Sequence, residues 1–243
     1  MNHRLVRMLG AVGIVAAIAS APAAAKADDA CWKMVDGAIA HRAAAVVPAF
    51  VRYTVKRSIA HRGGLPLVTE QHVVFRTADG AAQVVDSLYG DAVRYTYQLE
   101  PGPPFVGPPV RDDAGDGGPA IATVHAHAGK ACDDLGAETV AGVSTEHLRI
   151  TPHKAGGPGI RDLWVAADGE IWRAVVAQFL DGASLAGLNG SILLACTIDV
   201  RAVGHQAVVS SVRFSDHDLA LEGEYVFSGY TFSSEAPAGS FPP

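Results

Sequence analysis

Ten histidines and several acidic clusters are the side chains here that could carry chemistry. His125-Ala126-His127 is the sharpest pair. Alternate residues of a strand share a face, so both imidazoles could reach one zinc ion if a third ligand approached. His147, His153 and Asp216-His217-Asp218 are possible partners, but no zinc signature joins them. Satisfied or exposed histidines are therefore expected, and no metal is assigned. Ser144, His147 and an Asp supply the group types of a triad, yet no Gly-x-Ser-x-Gly elbow exposes the serine. Glu222 and Glu224 share a strand face and could pair as in a glycosidase, although two acids on a solvated face are commoner. No Walker loop or Gly-x-Gly-x-x-Gly stands between strand and helix. Asp112, Asp113 and Asp116 lack the glutamate that completes an EF-hand loop. The expectation is a non-enzyme with no catalytic residues and no cofactor.

Cys31, Cys132 and Cys196 make an odd set. One disulfide and one thiol is the simplest arithmetic in an oxidising compartment. Cys196 lies in the apolar run Ser191–Cys196 and reads as a small buried hydrophobe. Cys31–Cys132 is the favoured pair, with Cys132–Cys196 as its rival. No Cys-x-x-Cys suggests a catalytic thiol.

The elements that must position these groups are mostly strands. Residues 32–47 form the one convincing helix of the body: Trp32, Val35, Ile39 and Ala43 recur at helical spacing before Pro48. Thereafter the period is two. Strands are predicted at 50–59, 68–77, 82–88, 92–99, 121–127, 138–140, 144–151, 161–166, 170–179, 191–203, 207–214 and 222–232. Residues 92–99 alternate most cleanly, with Val93, Tyr95, Tyr97 and Leu99 on one face. Asp168-Gly169 predicts a two-residue hairpin turn, and Gly204-His205 marks another turn. Residues 100–120 hold so many Pro, Gly and Asp that a long loop is expected there. These twelve candidate runs, with little helix, predict a mainly β fold of about eleven strands, an antiparallel sheet, barrel or half-barrel.

The N-terminus carries its own message. Arg4 and Arg7 precede an uncharged apolar run over Leu9–Ala19, and Ala25 and Ala27 fit a signal-peptidase site. Residues 1–27 are read as a cleavable signal and residues 28–243 as a single β-rich domain. The run is too short to span a bilayer, which takes roughly 20 residues. Asp28 and Asp29 before Cys31 argue against a lipid anchor. Without the leader's three cations the net charge falls from −6 to −9. That acidic body argues against nucleic acid or an anionic membrane surface as partner. A periplasmic or secreted protein that does not span the membrane is expected.

Two stretches carry a family resemblance. The first is Gly136-Ala137-Glu138-Thr139-Val140-Ala141-Gly142-Val143 with Leu148-Arg149-Ile150; the second is Asp162-Leu163-Trp164-Val165-Ala166-Ala167-Asp168-Gly169-Glu170-Ile171-Trp172-Arg173. Together they resemble the central hairpins of the LolA-like lipoprotein-carrier superfamily, and Val226–Phe232 with Phe241-Pro242-Pro243 resembles its last strand and tail. The resemblance implies an open antiparallel β half-barrel with an N-terminal helix packed on its concave face. It implies no catalytic residues. It also implies a cavity arginine, for which Arg52 and Arg94 are the candidates.

Several strands are apolar on both faces, including Ala174-Val175-Val176-Ala177 and Ile192-Leu193-Leu194. Something must cover the second face, and a curved sheet around a greasy cavity would do so. Val93, Tyr95, Tyr97, Leu99, Trp164 and Trp172 are its candidate lining. Three functions follow. An apolar small molecule or acyl chain bound in a cavity is the leading one. An envelope module that binds another envelope protein through an apolar patch or sheet edge is the alternative. A secreted metal-dependent hydrolase, with His125 and His127 converging, is the third.

Overall fold

The computed structural model describes residues 21–61, 63–78, 81–89, 127, 129–152, 157, 159–181 and 191–241. Side chains of 21–27, 43, 81–82, 84–89, 178–181 and 191–192 lie outside this description. So do the predicted strand at 92–99, the 100–120 loop, and residues 121–126 of the strand predicted before Gly129.

One helix precedes ten strands. They are α1 (Ala21–Ala44), β1 (Phe50–His61), β2 (Leu67–Arg76), β3 (Ala81–Tyr89), β4 (Lys130–Val140), β5 (Val143–Pro152), β6 (Gly159–Ala166), β7 (Ile171–Asp181), β8 (Ser191–Val203), β9 (Gln206–Asp216) and β10 (Leu221–Ser233). The strands form one antiparallel sheet in the order β3-β2-β1-β10-β9-β8-β7-β6-β5-β4. Every neighbour pair but one is a sequential hairpin; β1 joins β10 along its whole length, from Phe50 opposite Ser233 to His61 opposite Leu221. β3 and β4 are the two ends of the order and do not pair with each other, so the sheet is open.

Alternation decides the faces. In β1, Val51, Tyr53, Val55, Arg57 and Ile59 are buried, and the residues between them are more exposed. The same rule puts Leu148 and Ile150 of β5, Leu194, Cys196 and Ile198 of β8, and Phe214 of β9 on this core face. α1 contributes Cys31, Trp32, Val35 and Ala38, a stripe at helical spacing, to the same cluster. Each such fully buried aliphatic side chain contributes about 1.5–3 kcal/mol. Gly223 shows how tight the packing is. A Cβ placed there would sit 2.1 Å from the Phe214 ring, which fills the space a side chain would take.

α1 lies over β4 and β6. It is fastened at two places along its length. Toward its middle, the disulfide Cys31–Cys132 joins it to β4, and Asp28 Oδ1 accepts the Cys132 amide at 2.8 Å. Near its end, Arg42 donates to Glu170 at 2.9 Å beside the β6–β7 turn. The favoured cysteine pairing is thus the one present, and Cys196 is fully buried away from it.

Four expectations need correction. The helix starts at Ala21 and stops at Ala44 rather than running over 32–47. Its last turn closes with the Ala45 amide donating to the Arg42 carbonyl, and β-branched Val46 and Val47 before Pro48 disfavour helix. β4 begins at Lys130, not Glu138: its first half is polar and lies at an edge, so no alternation betrays it. The described His127 is not in a strand. The β6–β7 turn has three residues, not two. Ala166 and Glu170 bracket it, and Gly169 takes φ +89°, the left-handed position such a loop requires.

Candidate functional site

Among the described residues, the core face holds a polar set amid apolar side chains. Tyr53 is 1% exposed, Arg57 3% and Gln71 5%. Tyr53 stacks on Tyr230 and tilts against Phe227, with ring centres 5.7 and 5.8 Å away. Arg57 places its guanidinium 5.5 Å from the Tyr225 ring. Burial pushes the Tyr53 and Tyr225 phenols up, opposed in part by the Arg57 charge. Both rings are therefore protonated donors at neutral pH. β1 thus buries an arginine, but it is Arg57. Arg52 is exposed, because odd-numbered residues of this strand face the core; Arg94 lies outside the described residues.

A crevice of about 460 Å³ opens where α1 meets the sheet. Met34, Gly37 and Ala38 of the helix form one wall, and Val165 and Ala166 of β6 form much of the other. Ser144, Thr145 and the β6–β7 turn complete it. A Cβ added at Gly37 would meet no atom within 4 Å beyond the helix's own backbone. The volume is in the range of small-molecule sites, roughly 300–1,000 Å³.

The opposite face carries charge. His147 Nδ1 lies 2.9 Å from Glu138 Oε1, and its Nε2 lies 2.9 Å from Asp162 Oδ1. Trp164 stacks on the ring at 4.0 Å and donates its indole N–H to Glu138 Oε2 at 2.8 Å. Arg149 also donates to Asp162. Arg173 lies 5.6 Å from the Trp164 ring centre and donates to Asp199, which Arg213 holds from the other side. Hydrogen bonds from Trp164 and then His147 hold the Glu138 carboxyl below its usual range. Burial pushes Asp199 up, but hydrogen bonds from Arg173 and Arg213 outweigh it, and the carboxyl ends below its usual range. Next to this network, Arg213, Thr197, Ser215, Glu222, Glu224 and Ser58 line an open groove of about 650 Å³.

The predicted residues are scattered over these places. Trp164 sits on the charged face, stacked on His147 rather than turned to the core. Trp172 is half-buried in a bulge: Arg173 pairs with Trp164 and Ile171 with Val165, leaving Trp172 without a partner in β6. Val93, Tyr95, Tyr97 and Leu99 lie outside the described residues. His127 faces α1, stacked on Trp32 at 4.1 Å and 3.1 Å from Asp36. His125 and His153 lie outside the description, and no group of three or more metal-ligating side chains gathers among the described residues. Sequence reasoning missed the Glu138–His147–Asp162 arrangement. Its signal lay in the β5–β6 hairpin, where His147 pairs with Trp164 and Arg149 with Asp162. It missed Gln71 too, a polar residue in step with Val73 and Phe75.

No family model matches the chain, and no curated protein does. Among solved structures it is similar to a DUF1329 family protein from Desulfovibrio piger, at 12% identity and a TM-score of 0.41, over 87% of this chain and 97% of that one. It is similar to a LolA superfamily protein from Nitrosomonas europaea, at 11% identity and a TM-score of 0.41, over 88% and 97%. A third is a domain assigned to outer membrane lipoprotein sorting from Vibrio parahaemolyticus, at 9% identity and a TM-score of 0.39, over 86% and 95%.

Proposed function

We propose that this chain is an exported, non-catalytic binding or carrier-type protein that takes a lipid or other apolar ligand beside α1 and holds it against the core face. The observation that carries this reading is the crevice between Gly37 and Ala38 of α1 and Val165 and Ala166 of β6. It lies at the margin of the apolar core, at the seam between helix and sheet. The resemblance of residues 136–173 to the LolA-like superfamily supports the same role. In this reading residues 1–27 are removed, residues 28–243 work as one domain outside the cytoplasm, and the disulfide marks the oxidising compartment. No described helix is long and apolar enough to cross a membrane. By alternation alone, Val93, Tyr95, Tyr97 and Leu99 are proposed as further apolar contacts.

The test is native mass spectrometry of the protein purified from its own envelope, followed by lipid extraction. A bound amphiphile or apolar molecule is expected in the wild type. Gly37→Trp, which fills the crevice while improving helix propensity, should lose it at unchanged circular dichroism. A wild type that never carries a ligand would overturn the reading.

One observation favours an envelope-interaction module instead. The start of the β1–β2 hairpin's return exposes Leu65 at 96% and Leu67 at 67%. Protein partners that crosslink at Leu65, together with an empty core, would support that alternative.

A further inference from the structure

The crevice between α1 and β6 is apolar along most of its walls, but a carboxylate stands in it. Glu146 of β5 belongs to the lining, together with Met34, Gly37, Ala38, Val165 and Ala166. Strand alternation says which way it points. Thr145 and His147, on either side of it, turn to the charged face, where Thr145 donates to the Glu138 carbonyl and His147 meets Glu138 and Asp162. Glu146 therefore shares the opposite face with Leu148 and Ile150 of the core. Across the ladder it pairs with Val165 of β6, which α1 covers. Glu146 is half-buried there, and no hydrogen bond or ion pair engages it among the described residues. The surrounding charges do not compensate it. No lysine, arginine or histidine stands among the described lining residues. Lys33, one turn before Gly37, is exposed and outside the lining. His41 and Arg42, near the end of α1, lie against Glu170 at 3.7 and 2.9 Å. Asp168, the other acid of the lining, is exposed and accepts the Glu170 amide at 3.0 Å.

We propose that the ligand of this crevice is an amphiphile with a cationic, amine-bearing head, and that Glu146 receives the head. This inference rests on the binding reading above and specifies its ligand class. The reason is desolvation. A ligand that fills the crevice displaces water from the open side of Glu146, and it must return what the water gave. A hydrocarbon returns nothing. An alcohol returns one neutral hydrogen bond. A carboxylate or sulfate head adds repulsion between like charges. An ammonium returns a charge-assisted hydrogen bond and supplies the positive charge that the lining lacks. The chain's net charge of −6 draws cations toward the surface and so works in the same direction.

The experiment uses the full exported chain, stripped of lipid, and three probes with matched tails: dodecylamine, dodecanol and dodecanoic acid. Affinities are read by isothermal titration calorimetry at neutral pH, below the aggregation threshold of each probe. The wild type should bind the amine about tenfold more tightly than the alcohol, and the acid most weakly. High salt should shrink the preference for the amine. Glu146→Gln, which keeps the shape and removes the charge, should bring the amine down to the alcohol's affinity and raise the acid. Glu146→Lys should put the acid first. Thermal unfolding without ligand checks each fold, and Glu146→Gln should melt at the wild-type temperature or above, since it removes a charge that has no partner. A preference for the amine that survives Glu146→Gln overturns the proposal. The wild type also decides without any variant: equal affinity for amine and alcohol, or a preference for the acid, rejects the head site and leaves the crevice reading standing. Binding that persists in Gly37→Trp places the ligand elsewhere, and a wild type that binds none of the three has no such site. Either result sinks the crevice reading and the head site with it.

Discussion

At the scale of single residues, His147 does the most with the least exposure. It bridges carboxylates on strands β4 and β6 from its place on β5, and Trp164 covers its ring. Replacing it with Ala leaves Asp162, only 15% exposed in its side chain, with one partner fewer. His147→Ala should cost about 1–3 kcal/mol in urea denaturation. Trp164 emission should shift to the red as the indole loses its stacked cover. An unchanged midpoint would show that the bridge contributes nothing. The residue types of this cluster were visible in the sequence, but their meeting was not. His147 and Trp164 are seventeen positions apart, and only the strand register makes them neighbours. The face of Trp164 is hard to read from the sequence for a related reason. Leu163, Trp164, Val165 and Ala166 are all buried, so the run does not say which face is the core. Bulges at Ile160/Asp162 and Trp164/Val165 break the alternation that would have told.

At the scale of elements, the helix depends on its fastening. Its stripe buries Trp32, Val35 and Ala38, yet it lies over only part of a ten-stranded sheet. The disulfide closes a separation of 101 residues. Removing a native bond of this kind costs about 2–5 kcal/mol. Cys132→Ser should show that loss in denaturant midpoint, and protease should then cut near residues 28–44 first. An equally resistant helix would mean that packing alone holds it. Strands such as β1 and β8 are legible because buried and more exposed residues alternate along them: the spacing predicts a strand at 191–203, and β8 runs over those residues. The first half of β4 was not legible. An edge strand gains only one set of backbone partners and can stay polar, as Asp133 and Asp134 are.

At the scale of the whole molecule, two carboxyls set the response to acid. Glu138 and Asp199 are both held below the usual carboxylate range, the first mainly by the Trp164 hydrogen bond, the second by the arginines that outweigh its burial. A carboxyl depressed in the folded state contributes stability above its unfolded value, near pH 4. That contribution is lost as pH falls through the folded value. Unfolding free energy should therefore decline on acidification below about pH 4. Asp199→Asn should flatten part of the decline. A slope identical to wild type would remove Asp199 from the account. The class of the fold was open to sequence reading, since one helix followed by short alternating runs permits little else. The sheet order was not, because the β1–β10 pairing spans most of the chain and leaves no local trace.

That pairing also sets a timetable. A ribosome delivers β1 well before β10, so residues 50–61 wait for residues 221–233 before their ladder can close. Until then β1, β2 and β3 are a three-stranded piece cut off from the other seven. Closure of the sheet is gated by the arrival of β10, and contacts this distant in sequence form slowly. A nascent chain that cannot finish its sheet stays threadable until β10 is delivered.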